Sequence, residues 1–155
     1  MNKRALTIQI RNATRKFKVN KKALTYNISN IVSRLKIDYD LTLDVSFVGK
    51  KKISEMNAKF RQKNRPTNVL SFSDRIANNP KKRIGEILLC PLVAENEATR
   101  DGNGFNDYVG FLLIHGILHI VGFDHQTDKE RKQMEELEES IFRSFEMRQF
   151  IRKWS

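Results

Sequence analysis

Leu6, Ile8 and Ile10 alternate with polar neighbours, and Leu41, Leu43, Val45 and Phe47 do so without a break. A period of two puts such side chains on one face of a strand, so both segments are expected as strands. Between them Leu24, Ile28, Ile31 and Leu35 recur at helical steps, which predicts an amphipathic helix from about Lys21 to Lys36. Ile53, Met56 and Phe60 repeat that spacing over a shorter helix with Arg61 at its end. Thr67–Phe72 and Ile84–Cys90 read as two more strands, the second apolar enough to be buried on both faces. Pro91 stops that strand and opens a helix through Ala94 and Ala98. A further helix runs from about Asp107 into Val121, with Gly122 placed to end it. The last opens at Thr127, where Glu130 three residues on makes a capping-box pattern. Met134, Leu137, Ile141 and Phe145 form its buried stripe, and its densely charged remainder reads as a solvated face. The run Asn78-Asn79-Pro80-Lys81-Lys82-Arg83 is expected as a surface loop. Together these elements predict an α+β fold: a mixed, roughly four-stranded sheet packed by helices.

A length of 155 residues suits a single domain over 1–155. Seven Gly, three Pro and one Cys exclude collagen-like, mucin-like and disulfide-framework classes. Cys90 lies in the apolar run from Ile87, so it is expected as a buried, inert thiol. A chain without an internal disulfide fits a reducing compartment. The amino end alternates like a strand and resembles no export signal. The longest apolar stretch, Val109 to Phe123, includes two histidines and falls short of the ~20 residues of a membrane span. These features predict a cytoplasmic protein with no membrane partner.

Charge narrows the partners. Residues 1–83 hold 21 Lys/Arg against 5 Asp/Glu, whereas residues 84–155 hold 8 against 13. So polarised a chain has a basic part that attracts polyanions, of which nucleic acid is the commonest in a cytoplasm.

All three histidines fall in the window His115-Gly116-Ile117-Leu118-His119-Ile120-Val121-Gly122-Phe123-Asp124-His125. His115 and His119, four apart, stand on one face of a helix and can both reach one metal ion. Gly122 breaks the helix and lets the chain bring His125 back as a third ligand. Three neutral nitrogens leave a fourth position for water, the arrangement of a catalytic zinc site. Asp124 is placed to support the ligands or fix the loop. The spacing matches the zinc-protease pattern HExxHxxGxxH, but Gly116 stands where that pattern needs a general-base Glu. A peptidase becomes the lesser alternative.

The histidine window closely resembles the HGxLHLxGxDH signature of the YbeY-type endoribonucleases, the bacterial rRNA maturation factors. Asn57-Ala58-Lys59-Phe60-Arg61 and Arg65-Pro66-Thr67-Asn68-Val69-Leu70-Ser71-Phe72 resemble that family's N-x-x-[aromatic]-R and PTDVLSF blocks. Gly85-Glu86-Ile87 is similar to its GDI, and Met134-Glu135-Glu136-Leu137-Glu138 to its late helix. Asn68, Glu86 and Ile120 depart from the family's commoner residues, and none is a proposed ligand.

The resemblance implies a single-strand-specific, metal-dependent endoribonuclease with a zincin-like metal helix. It would act on ribosomal RNA, chiefly the 3′ end of the small-subunit RNA, with the small ribosomal subunit and its proteins as partners. One zinc per chain is the expected cofactor, held by His115, His119 and His125. Arg61, carried over from the matching family position, would steady the charge of a phosphorane-like transition state. Lys50, Lys51, Lys52, Lys63 and Arg65 would guide RNA. Ser71 and Phe72 are candidates to line the cleft, Phe72 as a base stacker or a core residue. The rivals are a zinc peptidase or amide hydrolase, and a non-catalytic ribosome- or RNA-binding factor with a structural metal.

Overall fold

The unbroken alternation from Leu41 to Phe47 sets the centre of the molecule. In the computed structural model, which describes residues 4–75 and 79–154, these residues form β3 (Asp40–Phe47). Leu41, Leu43, Val45 and Phe47 are all 1% exposed or less. β3 pairs in parallel with β1 (Leu6–Asn12) and β5 (Lys82–Leu89), and β5 pairs antiparallel with β4 (Val69–Arg75). The order β1-β3-β5-β4 leaves β4 on the edge of a mixed four-stranded sheet.

One face of the sheet carries the larger core. Val45, Ile87 and Leu89 meet Leu24, Ile28 and Ile31 of α1 (Lys21–Ser33) and Leu113 and Ile117 of α4 (Phe105–Ile120). Met134 and Ile141 of α5 (Asp128–Ser144) close it from outside. A smaller core lies on the other face, where Ile53 of α2 (Lys50–Arg61) packs on Leu70, Leu88 and Cys90. The thiol of Cys90 is fully enclosed there. α3 (Pro91–Asp101) follows directly, with Pro91 in its first turn, where a missing N–H costs nothing.

α1 ends at Ser33, short of Lys36. The N–H groups of Arg34 and Leu35 already reach back three residues, to Ile31 and Val32, so Leu35 packs from a turn. β4 starts at Val69 rather than Thr67 and continues to Arg75. Lys82 and Arg83 of the expected loop belong to β5, because they pair with Asp40 and Leu41; Asn78 lies outside the described residues. A two-stranded ribbon, β2 (Phe17–Val19) with β6 (Ile151–Lys153), had no sequence signal, since three residues are too few to show a period. Buried Asn27 ties the chain before this ribbon to α1. Its Nδ2 donates to the Arg148 carbonyl and its Oδ1 accepts the Arg148 N–H, each at 2.9 Å. Among the described residues no helix is long and apolar enough to cross a membrane.

Candidate metal centre

α4 is built to present its last turn. Its apolar residues, among them Leu113, Ile114, Ile117 and Leu118, are fully buried, which turns His115 and His119 outward along one edge. Two close approaches fix its height over the sheet. A Cβ on Gly85 of β5 would lie 2.6 Å from Ile120 Cγ2, and one on Gly116 would lie 3.3 Å from Ile87 Cδ1. The carbonyl of Ile120 accepts from Arg83 Nη1 at 2.8 Å and Ser73 Oγ at 3.1 Å, so β5 and β4 hold the helix end from below.

The helix stops in a Schellman turn. Phe123 N–H bonds to Leu118 O at 2.9 Å and Gly122 N–H to His119 O at 3.1 Å, with Gly122 at φ 110°. That backbone region suits glycine, and the reversal carries His125 back over the helix. The three imidazoles then converge: ring centroids lie 4.5 Å apart for His115 and His119, 4.8 Å for His119 and His125, and 5.7 Å for His115 and His125. One nitrogen from each falls within 4.8 Å of the others. The Nε2 atoms of His115 and His119 are 3.1 Å apart, close to the ~3.3 Å between two nitrogens bound tetrahedrally to one zinc.

His115 is steered from behind. Its Nδ1–H donates to Glu138 Oε1 of α5 at 2.7 Å, which turns Nε2 toward the other rings. Burial, followed by the two neighbouring imidazoles, lowers the pKa of His119 and favours the neutral, ligating form. The donor set and its orientation therefore fit a divalent metal of the zinc type. Asp124 Oδ1 accepts the His125 N–H at 2.7 Å and so shapes the loop that returns His125.

The histidines line a cavity of about 600 Å3 together with Arg61, Ser71, Phe72, Phe123 and Asp124. Arg61 ends α2 and reaches across to β4, where Nη2 donates to Ser71 O at 3.0 Å and the guanidinium lies 5.4 Å over the Phe72 ring. Buried Asn57, one turn earlier, fixes the loop beyond it by donating to Arg65 O at 2.9 Å. Phe72 is half-buried at the cavity wall, tilted against Phe60. Lys63 and Arg65 lie exposed in the loop just past Arg61. Lys50, Lys51 and Lys52 occupy the opposite end of α2, roughly 15 Å away along the helix. None of these five lines the cavity.

Glu138 escaped the sequence reading because it was taken with the solvated face of α5. Its place between Met134 and Ile141, at helical spacing within the buried stripe, was the available signal. Ser73 and Arg83 carried none, since their partner is a backbone carbonyl.

A family model described as Endoribonuclease YbeY matches residues 9–146. The chain is 40% identical over 102 residues to Endoribonuclease YbeY of Bartonella bacilliformis, covering 64% of this chain and 65% of that protein. Against Endoribonuclease YbeY of Francisella tularensis subsp. novicida the identity is 38% over 104 residues, 62% of each. These alignments span just under two-thirds of the relatives' own length. The solution structure of TM1509 from Thermotoga maritima superposes with a TM-score of 0.59 at 30% identity, covering 87% of this chain and 86% of that one.

Proposed function

This chain belongs to the YbeY family, and from that membership we propose that it is a metal-dependent endoribonuclease cutting single-stranded RNA. The observation that carries the reading is the convergence of three histidine nitrogens on a cavity shared with Arg61. His115, His119 and His125 hold the metal, one zinc per chain. When bound, a zinc ion acts as a Lewis acid toward a phosphoryl oxygen and toward attacking water.

The remaining work falls to the chain's own groups. Arg61 grips two phosphate oxygens with its planar guanidinium and offsets the negative charge that builds in the transition state. The Ser71 carbonyl and the Phe72 ring hold that guanidinium in place, so little reorganisation is needed when substrate arrives. Glu138 keeps His115 in the ligating tautomer, and Asp124 sets the return of His125. Lys63 and Arg65 draw the RNA backbone toward the cavity, with Lys50, Lys51 and Lys52 extending the basic track.

A peptidase is disfavoured by Gly116. A carboxylate there would have to enter the packed contact with Ile87, where even a Cβ sits at 3.3 Å. Among the described residues Asp124 alone brings a carboxylate to the cavity lining. The family resemblance extends the proposal to maturation of small-subunit ribosomal RNA in the cytoplasm, by a single domain over 1–155, in contact with the small subunit and its proteins.

The test is cleavage by the zinc-loaded protein of single-stranded RNA, a duplex of the same sequence, and a denatured polypeptide. The proposal expects cutting of the first alone. Cleavage of the polypeptide with RNA intact would replace it with the peptidase reading.

A further inference from the structure

Side chains of the edge strand β4 alternate between the two faces of the sheet. Ser71 and Ser73 face the histidine side, where Ser71 lies opposite buried Ile87 and Ser73 bonds to Ile120 O. Phe72 lies on the other face, directly opposite Glu86 in the ladder, with Asp74 next along that face. There α2 buries Leu70 and Leu88 but covers Phe72 only in part. Past that point, between the last turns of α2 and the strands, opens a second cavity of about 440 Å3. Met56, Phe60 and Phe72 give it an apolar wall, and Asp74 and Glu86 an acidic rim. Arg61, Ser71, Phe72 and Ser73 border both cavities, which meet along β4.

Two features of this pocket are unexplained by folding. Phe60 is 43% exposed although Phe72 lies 5.0 Å away at 58°, so the pair leaves aromatic surface open to solvent beside the cations of Lys59 and Arg61. Two carboxylates beside a phosphate-gripping arginine would also weaken affinity for a polyanion, unless they meet hydrogen-bond donors on it.

We propose that this second cavity is a nucleobase subsite of the same cleft, one that prefers a base carrying an exocyclic amino group. It rests on the nuclease reading above. Every base has a π-face for Phe60 and Phe72 to stack, so the aromatic wall supplies affinity without selection. Selection comes from the rim. Glu86 and Asp74 accept N–H bonds from the amino group of cytosine, adenine or guanine, whereas uracil has no amino group and flanks its single N3–H with two carbonyl oxygens that the carboxylates repel. The width of one strand, roughly 5 Å, separates the two cavities. A nucleotide whose phosphate sits between Arg61 and the histidines would lay its base over the edge of β4 into the pocket.

The experiment compares labelled oligocytidylate with oligouridylate of equal length on the zinc-loaded protein. Binding is read by fluorescence anisotropy in the cold, and cleavage is timed on warming. Wild type should bind and cut oligocytidylate about tenfold better. Glu86→Gln, whose amide also donates, should shrink that ratio to about threefold or less. Phe60→Ala should weaken binding of both RNAs by about tenfold with zinc content unchanged, and Phe60→Trp should restore it. Equal binding of the two RNAs by wild type, or wild-type binding by Phe60→Ala, would overturn the subsite. If the cytidine preference appears in binding but neither RNA is cut, the nuclease reading fails and the subsite stands. If both are cut and bound alike, the reverse holds.

Discussion

Glu138 accepts the Nδ1–H of His115 at 2.7 Å, joining α5 to α4 across 23 residues of chain. The carboxylate is held with its helix in the main core by Met134 and Ile141, both 2% exposed. The direction of His115 is thus set by packing at a distance from the proposed metal.

That relationship has a measurable consequence. Glu138→Gln keeps an acceptor oxygen but loses the charge that favours the Nδ1–H tautomer and raises ligand basicity. Zinc affinity, measured by competition with a chromogenic chelator, should fall about 10- to 100-fold while the melting curve of the metal-free protein barely moves.

Arg61 is exposed and its guanidinium rests on one carbonyl and the Phe72 ring, so its loss should leave fold and metal intact. Arg61→Ala should retain zinc and lower kcat by about 100-fold or more, as for other donors aimed at developing charge. Arg61→Lys should recover little of this, because a lysine cannot grip two oxygens in one plane. Single-turnover cleavage of RNA separates the rate from binding.

Gly85 sets the height of α4. Its missing Cβ makes room for Ile120, a residue that is 1% exposed and cannot swing away. Gly85→Ala should therefore cost about 1–3 kcal/mol and weaken zinc binding with it, since the helix end carries His115 and His119. Pairing it with Ile120→Ala, which removes the colliding atoms, should recover part of the metal affinity. Urea unfolding and zinc titration of the single and double variants check both effects.

Asn27 is fully buried and satisfies both the N–H and the carbonyl of Arg148. Asn27→Ala strands those groups in an enclosed position and should destabilise the protein by about 2–4 kcal/mol. Hydrogen exchange should then show the ribbon of β2 and β6 opening before the sheet.

The elements with long, clean periods were legible in the sequence. Alternation located β1 and β3, and the helical steps through Leu24 to Ile31 and Met134 to Ile141 located α1 and α5. The histidines stood out because ligand spacing and the helix-ending Gly122 fall within one window. Short range is what made them readable. The ribbon was not legible, because the contacts of Phe17–Val19 lie more than a hundred residues away in Ile151–Lys153. Glu138 was hidden for a similar reason: its meaning depends on α5 lying against α4, which charge patterning on its own helix does not express. The pocket behind β4 needs the sheet register, which sets Phe72 opposite Glu86.

The most direct measurement is metal content and RNA cleavage on the same samples of wild type and His119→Ala. Elemental analysis should find near one zinc per wild-type chain, with loss of both zinc and cleavage in the variant and a near-native far-UV circular dichroism spectrum. Wild type that takes up no metal on titration, or His119→Ala that still cuts single-stranded RNA at the wild-type rate, would contradict a catalytic metal held by these histidines.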